Sequence, residues 1–288
     1  MKKTALLLLL VLLFALCVNA QERPLITEDV DITPPGTMNI AAGVDLLQDA
    51  KFPLSGLKGD LTRVGDVRIR TGLAPNVELQ IEGVAQEFLA INSESPNPPI
   101  PLTLDGNSTN DFGDILMSVK VKLRNETARV PALGLKFGYQ MPNSDEKRGI
   151  GTNQINIFSK MIMQKTFGKH SKQTPRLKVF GNLGIGIMTA PLEAFSQNDV
   201  FLYGLGGIYR ASDNINVVSE VNGRISTQGG DAPLGTESVG QFRIGTQIKA
   251  SGLMFDAAAV IGLTKFSPRT GVTFGVTYQS PNVFTPAQ

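Results

Sequence analysis

Val77-Glu78-Leu79-Gln80-Ile81-Glu82 alternates strictly between aliphatic and polar side chains. Period two is the period of an extended strand. One face of this segment is therefore aliphatic, and the other carries two carboxylates and an amide. The flanking segments repeat the pattern with the opposite charge. Arg68 and Arg70 take alternate positions before it, and Lys120 and Lys122 alternate with Val119, Val121 and Leu123 after it. The short link Ala74-Pro75-Asn76 predicts a hairpin that sets Arg68 opposite Glu82 and Arg70 opposite Gln80. Opposed charges on paired strands stabilise the pairing by ~0.2–1 kcal/mol each.

The same alternation runs through the rest of the chain. It predicts about twelve strands, over 37–47, 61–73, 76–89, 112–124, 131–142, 153–167, 175–188, 199–211, 214–227, 238–249, 252–264 and 270–280. Tight links follow the even strands, at Ala74–Asn76, around Asn125, at Ser212–Asn214 and at Ala250–Gly252. Longer links follow most odd strands: Gln48–Gly59, Ile91–Asn110, Asn143–Thr152, Thr189–Asn198 and Gln228–Glu237. Gly168–Thr174 and Lys265–Arg269 break this rule. Long strands with alternating short and long connections are the pattern of outer-membrane barrels, whose apolar face meets lipid and whose polar face lines the lumen. In a soluble sandwich the same alternation has the opposite sense. Aromatic residues near strand ends (Phe88, Phe112, Tyr139, Phe167, Tyr209, Phe266 and Tyr278) fit interfacial girdles. The expected fold class is all-β: an antiparallel up-and-down transmembrane barrel over 37–284, with a short tail at 285–288.

The 288 residues are 42% hydrophobic and 18% charged, too apolar for a disordered chain. Lys2 and Lys3, the leucine-rich stretch to Leu16 and the small-residue site Val18-Asn19-Ala20 read as a Sec signal peptide cleaved after Ala20. Cleavage removes the formal net charge of +2 and the single cysteine, Cys17. Export by this route and a barrel pattern together place the chain in the outer membrane of a diderm bacterium. The expected partners are outer-membrane lipid, the barrel-assembly machinery and a small-molecule solute. With no basic excess, nucleic acid is not an expected partner. Residues 21–36, extended and carrying Pro24, Pro34 and Pro35, are expected as a periplasmic segment, with entry into the barrel as a plug left open.

With apolar residues facing lipid, the expected lumen lining is Arg68, Arg70, Glu78, Glu82, Lys120, Lys122, Lys136, Lys160, Glu220, Arg224 and Arg243, joined by Asp45, Asp66, Lys178 and Asp256. These charges suit either an eyelet that orients polar solutes or a set of ion pairs packing a narrow barrel. Gly181, Gly184 and Gly186 sit near Gly204, Gly206 and Gly207. They leave room for a solute or the N-terminal segment, or relieve crowding in a curved sheet.

Arg23–Gly36 (RPLITEDVDITPPG), Asp111–Leu123 (DFGDILMSVKVKL) and Met141-Pro142 followed by Arg148–Thr152 (RGIGT) occur in an order that resembles the transporter-like outer-membrane β-barrel family labelled for a MetA pathway of phenol degradation. The resemblance spans most of the mature chain. It implies passage of small, aromatic or hydrophobic molecules across the outer membrane. Outer-membrane barrels often end on an aromatic residue, whereas Phe284 is followed here by Thr285-Pro286-Ala287-Gln288, so either Tyr278 or Phe284 serves as the assembly signal or the tail is an addition.

Catalytic chemistry is not expected. The one histidine, His170, lies in a turn between Lys169 and Lys172, away from any nucleophile. A single histidine cannot assemble a zinc site, and no metal or cofactor is expected. Glu94, Asp105, Asp145 and Asp231 lack the spacing of a calcium loop. Glu78 and Glu82, flanked by basic strands, read as ionised structural partners. The favoured function is a channel or diffusion facilitator for small molecules. Two alternatives stand beside it. One is a non-transporting barrel acting as anchor, adhesin or scaffold through its outer loops, with 92–110 the best candidate for a lid. The other is a soluble periplasmic β protein binding an apolar ligand.

Overall fold

A computed structural model describes residues 23–170, 175–193 and 196–285. The expected signal peptide, and residues 286–288 of the tail, lie outside the described residues. The strands are β1 (Met38–Phe52), β2 (Leu57–Ala74), β3 (Val77–Ser93), β4 (Ser108–Asp111), β5 (Ile115–Arg124), β6 (Ala132–Met141), β7 (Asn156–Phe167), β8 (Leu177–Thr189), β9 (Gln197–Arg210), β10 (Ile215–Ser226), β11 (Val239–Ala250), β12 (Leu253–Gly262) and β13 (Thr270–Gln279). Each pairs antiparallel with its neighbour, and β13 closes on β1. β3 pairs with β5 along 77–82 and with β4 along 87–90, so β4 and β5 are two pieces of one wall strand. The result is a closed antiparallel barrel of twelve staves. Closure leaves no free sheet edge, which is what allows strands to cross a bilayer.

Burial is inverted relative to a water-soluble protein. Ile81, Leu183, Ile185, Leu205, Ile244, Phe255 and Phe274 stand exposed on the outside, while Lys120, Lys136, Glu78, Glu220 and Arg243 are buried inside. A charge on the lipid side would cost ~2–4 kcal/mol at the midplane, and the sequence alternation avoids this at every stave. An apolar exterior around a charged interior removes the soluble-binder alternative. The aromatic girdles are outside too: Phe88, Phe112 and Tyr139 toward the end with long loops, and Phe167, Tyr209 and Tyr278 toward the end with both termini. The even stave number puts the termini at the periplasmic end.

Four departures from the sequence reading have physical causes. The link expected over 48–59 is mostly strand, and only 53–56 remain as a turn, because Leu47, Leu57 and Leu61 pack into an apolar cluster with Leu89 and Val260. The link expected over 91–110 contains β4 and folds back so that Leu102 and Leu104 pack against that cluster, which Ile150 joins from the link after β6. Its backbone is tied down by Thr103 N–H to Lys147 O, 2.8 Å, and Arg148 reaches Asp105 at 3.1 Å. The closing strand ends at Gln279, with Tyr278 opposite Ile40. Phe284 lies beyond it, on a tail whose Val283 N–H bonds Gly36 O. The fourth concerns the N-terminal segment: expected as a periplasmic segment, with entry as a plug left open, it lies inside the barrel from Arg23 onward. An extended segment without a strand partner leaves its backbone groups unsatisfied, and the barrel interior satisfies them.

Candidate functional site: the occupied bore

Arg23 to Gly36 form a strap that crosses the bore and leaves it beside β2, where Gly36 N–H bonds Gly72 O at 2.9 Å. Leu25, Asp29 and Val30 have no exposed surface, and Arg23, Thr27 and Glu28 are nearly as buried. The barrel wall holds the strap's main chain with side chains, as a neighbouring strand would with its backbone. Both oxygens of Glu220 accept, from Ile26 N–H at 2.8 Å and Thr27 N–H at 2.6 Å. Asn182 accepts from Glu28 N–H and donates to Glu28 O, at 2.9 and 2.7 Å. Gln164 accepts from Val30 N–H and Glu78 from Thr33 N–H. Gln247, Arg243 and Arg68 donate to the carbonyls of Arg23, Pro24 and Leu25, at 2.7, 2.9 and 2.7 Å.

Charge complements this backbone grip. On one wall, built from β1, β2 and β12, Asp45, Asp66 and Asp256 surround the Arg23 guanidinium. Asp66 takes a direct hydrogen bond, while Asp45 and Asp256 stand 3.9 and 3.7 Å away. The glycine at 275 makes this approach possible, because a Cβ there would run into Asp256 and Arg23. The other wall, built from β5 to β8, is basic. Lys136 binds Glu28 directly, Lys120 lies 3.7 Å from it, and Lys178 holds Asp29 and Asp31 at 2.7 and 2.6 Å. Lys122 reaches Asp31 at 3.9 Å. Gly204 lets the strap pass, since a Cβ there would sit 2.7 Å from Thr27 Oγ1.

The residues expected to line the lumen are all on the inside, but only some touch the strap. Arg68, Glu78, Glu220, Arg243, Lys120, Lys122 and Lys136 do so through the bonds above. Glu82 instead pairs with Lys136 at 3.1 Å and with Arg68 at 3.9 Å, and the hairpin register is Arg68 with Glu82 and Arg70 with Gln80. Arg70 is buried at the periplasmic mouth, beside Thr33 and Lys122. Lys160 stands over the Phe158 ring, 5.2 Å from its centroid. Arg224 donates to Glu237 O at 2.8 Å, away from the strap.

Sequence reasoning missed the neutral amides. Asn182, Gln164 and Gln247 share the inward parity of the charges, and that parity was the signal for them. His170 sits in the periplasmic turn, 2.9 Å from Asp213. Among the described residues no cluster of His, Cys, Asp or Glu is arranged to hold a metal ion.

The fold is similar to that of solved outer-membrane barrels. The COG4313 outer membrane channel from Pseudomonas putida F1 superposes with a TM-score of 0.59 at 14% identity, over 90% of this chain and 99% of that one. The NanC porin gives 0.46 at 7% identity, over 84% and 98%. LpxR from Salmonella typhimurium gives 0.46 at 9%, over 83% and 99%. No family model matches the sequence, and no curated protein matches it. The chain thus has the fold of an outer-membrane β-barrel.

Proposed function

We propose that this barrel is a gated channel for small solutes, closed by its own residues 23–36. The observation that carries the reading is how the strap is held. It is bound by side-chain hydrogen bonds and ion pairs and adds no stave to the wall. Removing it would leave the wall's backbone ladder intact. Apolar contact with the wall is confined to two small clusters, Leu25 with Phe180 and Val218 and Val30 with Ala132 and Ile162, and the rest of the bore at strap height is polar and charged. The fold likeness to a protein described as an outer-membrane channel supports the same reading. The phenol-pathway resemblance adds small aromatic molecules as the solute class. No catalytic role is assigned to the bore.

The test is a chain lacking residues 23–36, refolded into planar bilayers and into liposomes. Heat-modifiable migration on detergent gels checks that the barrel has formed. The intact chain should conduct weakly. The deletion should raise conductance at least tenfold and admit small solutes that the intact barrel excludes. A folded deletion barrel with unchanged conductance and flux would sink the proposal.

A further inference from the structure

On the extracellular side of the strap, between β7 and β11, the bore holds a cavity of about 180 Å³. Two cations line it, Lys160 and Arg224. Among the described residues neither makes an ion pair within 4 Å: Lys160 lies over Phe158, and Arg224 bonds the backbone carbonyls of Glu237 and Gly235. No acidic residue lines the cavity. Glu220, on the same strand as Arg224, is occupied by the strap's N–H groups. Two polar atoms at the cavity are buried without a hydrogen-bond partner, Asn222 Nδ2 and Thr27 Oγ1. Leu202, Val239 and Ile26 supply an apolar side, and Ile26 remains exposed although it sits inside the bore.

Half-buried cations without an ion pair within 4 Å favour an incoming negative charge, and buried donors are expected to be satisfied. A ligand that brings acceptors and negative charge on a short apolar body answers all of these demands together. The geometry points to a binding site for a small organic carboxylate in this cavity. Its two oxygens would accept from Lys160, Arg224 and Asn222, and its body would rest on Leu202, Val239 and Ile26. This deepens the channel reading, on which it rests for its purpose, by naming the solute class. The strap forms one side of the site, so a bound solute contacts the element that closes the bore.

Isothermal titration calorimetry on the full detergent-solubilised chain tests the site, with sodium benzoate as probe and benzyl alcohol as its uncharged counterpart. Benzoate should bind saturably, with benzyl alcohol at least tenfold weaker. Lys160→Met and Arg224→Met should each weaken benzoate at least tenfold while keeping the heat-modifiable gel shift. Asn222→Asp, which keeps the side-chain volume and adds a negative charge, should do the same. Equal binding of acid and alcohol would overturn the proposal. So would the absence of saturable benzoate binding, or folded variants that bind it as the parent does. Benzoate binding without flux through the strap-deleted barrel would refute the channel reading and leave the site standing. Flux without benzoate binding would do the reverse.

Discussion

The two walls that grip the strap solve the same problem in different ways. The acidic wall gathers three aspartates, Asp45, Asp66 and Asp256, on one strap guanidinium. Arg63 also reaches Asp45, at 3.6 Å, and Arg68 reaches Asp66, at 3.3 Å, but Asp256 has Arg23 alone within 4 Å among the described residues. On the basic wall Lys178 and Lys122 have only the strap's Asp29 and Asp31 within 4 Å among the described residues, and redundancy is confined to one pair of lysines. Lys120 and Lys136, directly opposite each other across β5 and β6, share Glu28 but also hold Glu78 and Glu82 of the neighbouring strand β3. Like charges facing each other on paired strands repel, and the wall carboxylates relieve that repulsion even if the strap leaves. Each wall thus has a part that depends on the strap, Asp256 on the acidic side and Lys178 and Lys122 on the basic side, whereas Lys120 and Lys136 keep carboxylate partners on β3 when the strap leaves.

Arg23→Met removes the one strap charge that three aspartates share and should have the largest effect. Breaking a buried charge cluster by removing one partner costs about 3–5 kcal/mol. Single-channel recordings should show frequent openings and a conductance approaching that of the strap deletion. A variant as closed as the parent would show that the aspartate cluster does not hold the strap. Glu28→Gln attacks the redundant pair of lysines. It removes the carboxylate shared by Lys136 and Lys120 but leaves the backbone bonds to Asn182, a loss of about 1.5–3 kcal/mol. Its open probability should fall between those of the parent and Arg23→Met, and a value above Arg23→Met would reverse the ranking.

The smallest effect belongs to the periplasmic end of the basic wall. Glu126, in the turn between β5 and β6, accepts from Thr166 N–H at 3.0 Å and pairs with Lys165 at 3.0 Å. Its slight burial would raise the carboxyl, but the bonds from Thr166 and the Lys165 ammonium outweigh this and hold it below the usual carboxylate range. A depressed carboxyl stabilises the fold above its unfolded value, near 4.5, and the benefit disappears as pH falls through the folded value. Thermal unfolding should therefore show Glu126→Gln less stable than the parent at pH 7, by up to about 1 kcal/mol. The gap should close toward pH 3, and one that persists there would show that charge is not its source.

The amino-acid sequence determined the wall. Period two fixes which side chains share a face, and the cost of placing charge in lipid fixes which face turns inward. Stave number, the Arg68 to Glu82 register and the inward charges were therefore legible from Val77–Glu82 and its neighbours. The broken stave at β4 and the folded-back loop over Leu89 were not, because they depend on packing between segments far apart in the chain. Only the tertiary structure decided what fills the bore. Arg23, Glu28, Asp29 and Asp31 have no periodic pattern and no strand partner. Their place follows from the charge and hydrogen-bonding capacity that twelve staves present together once the sheet has closed.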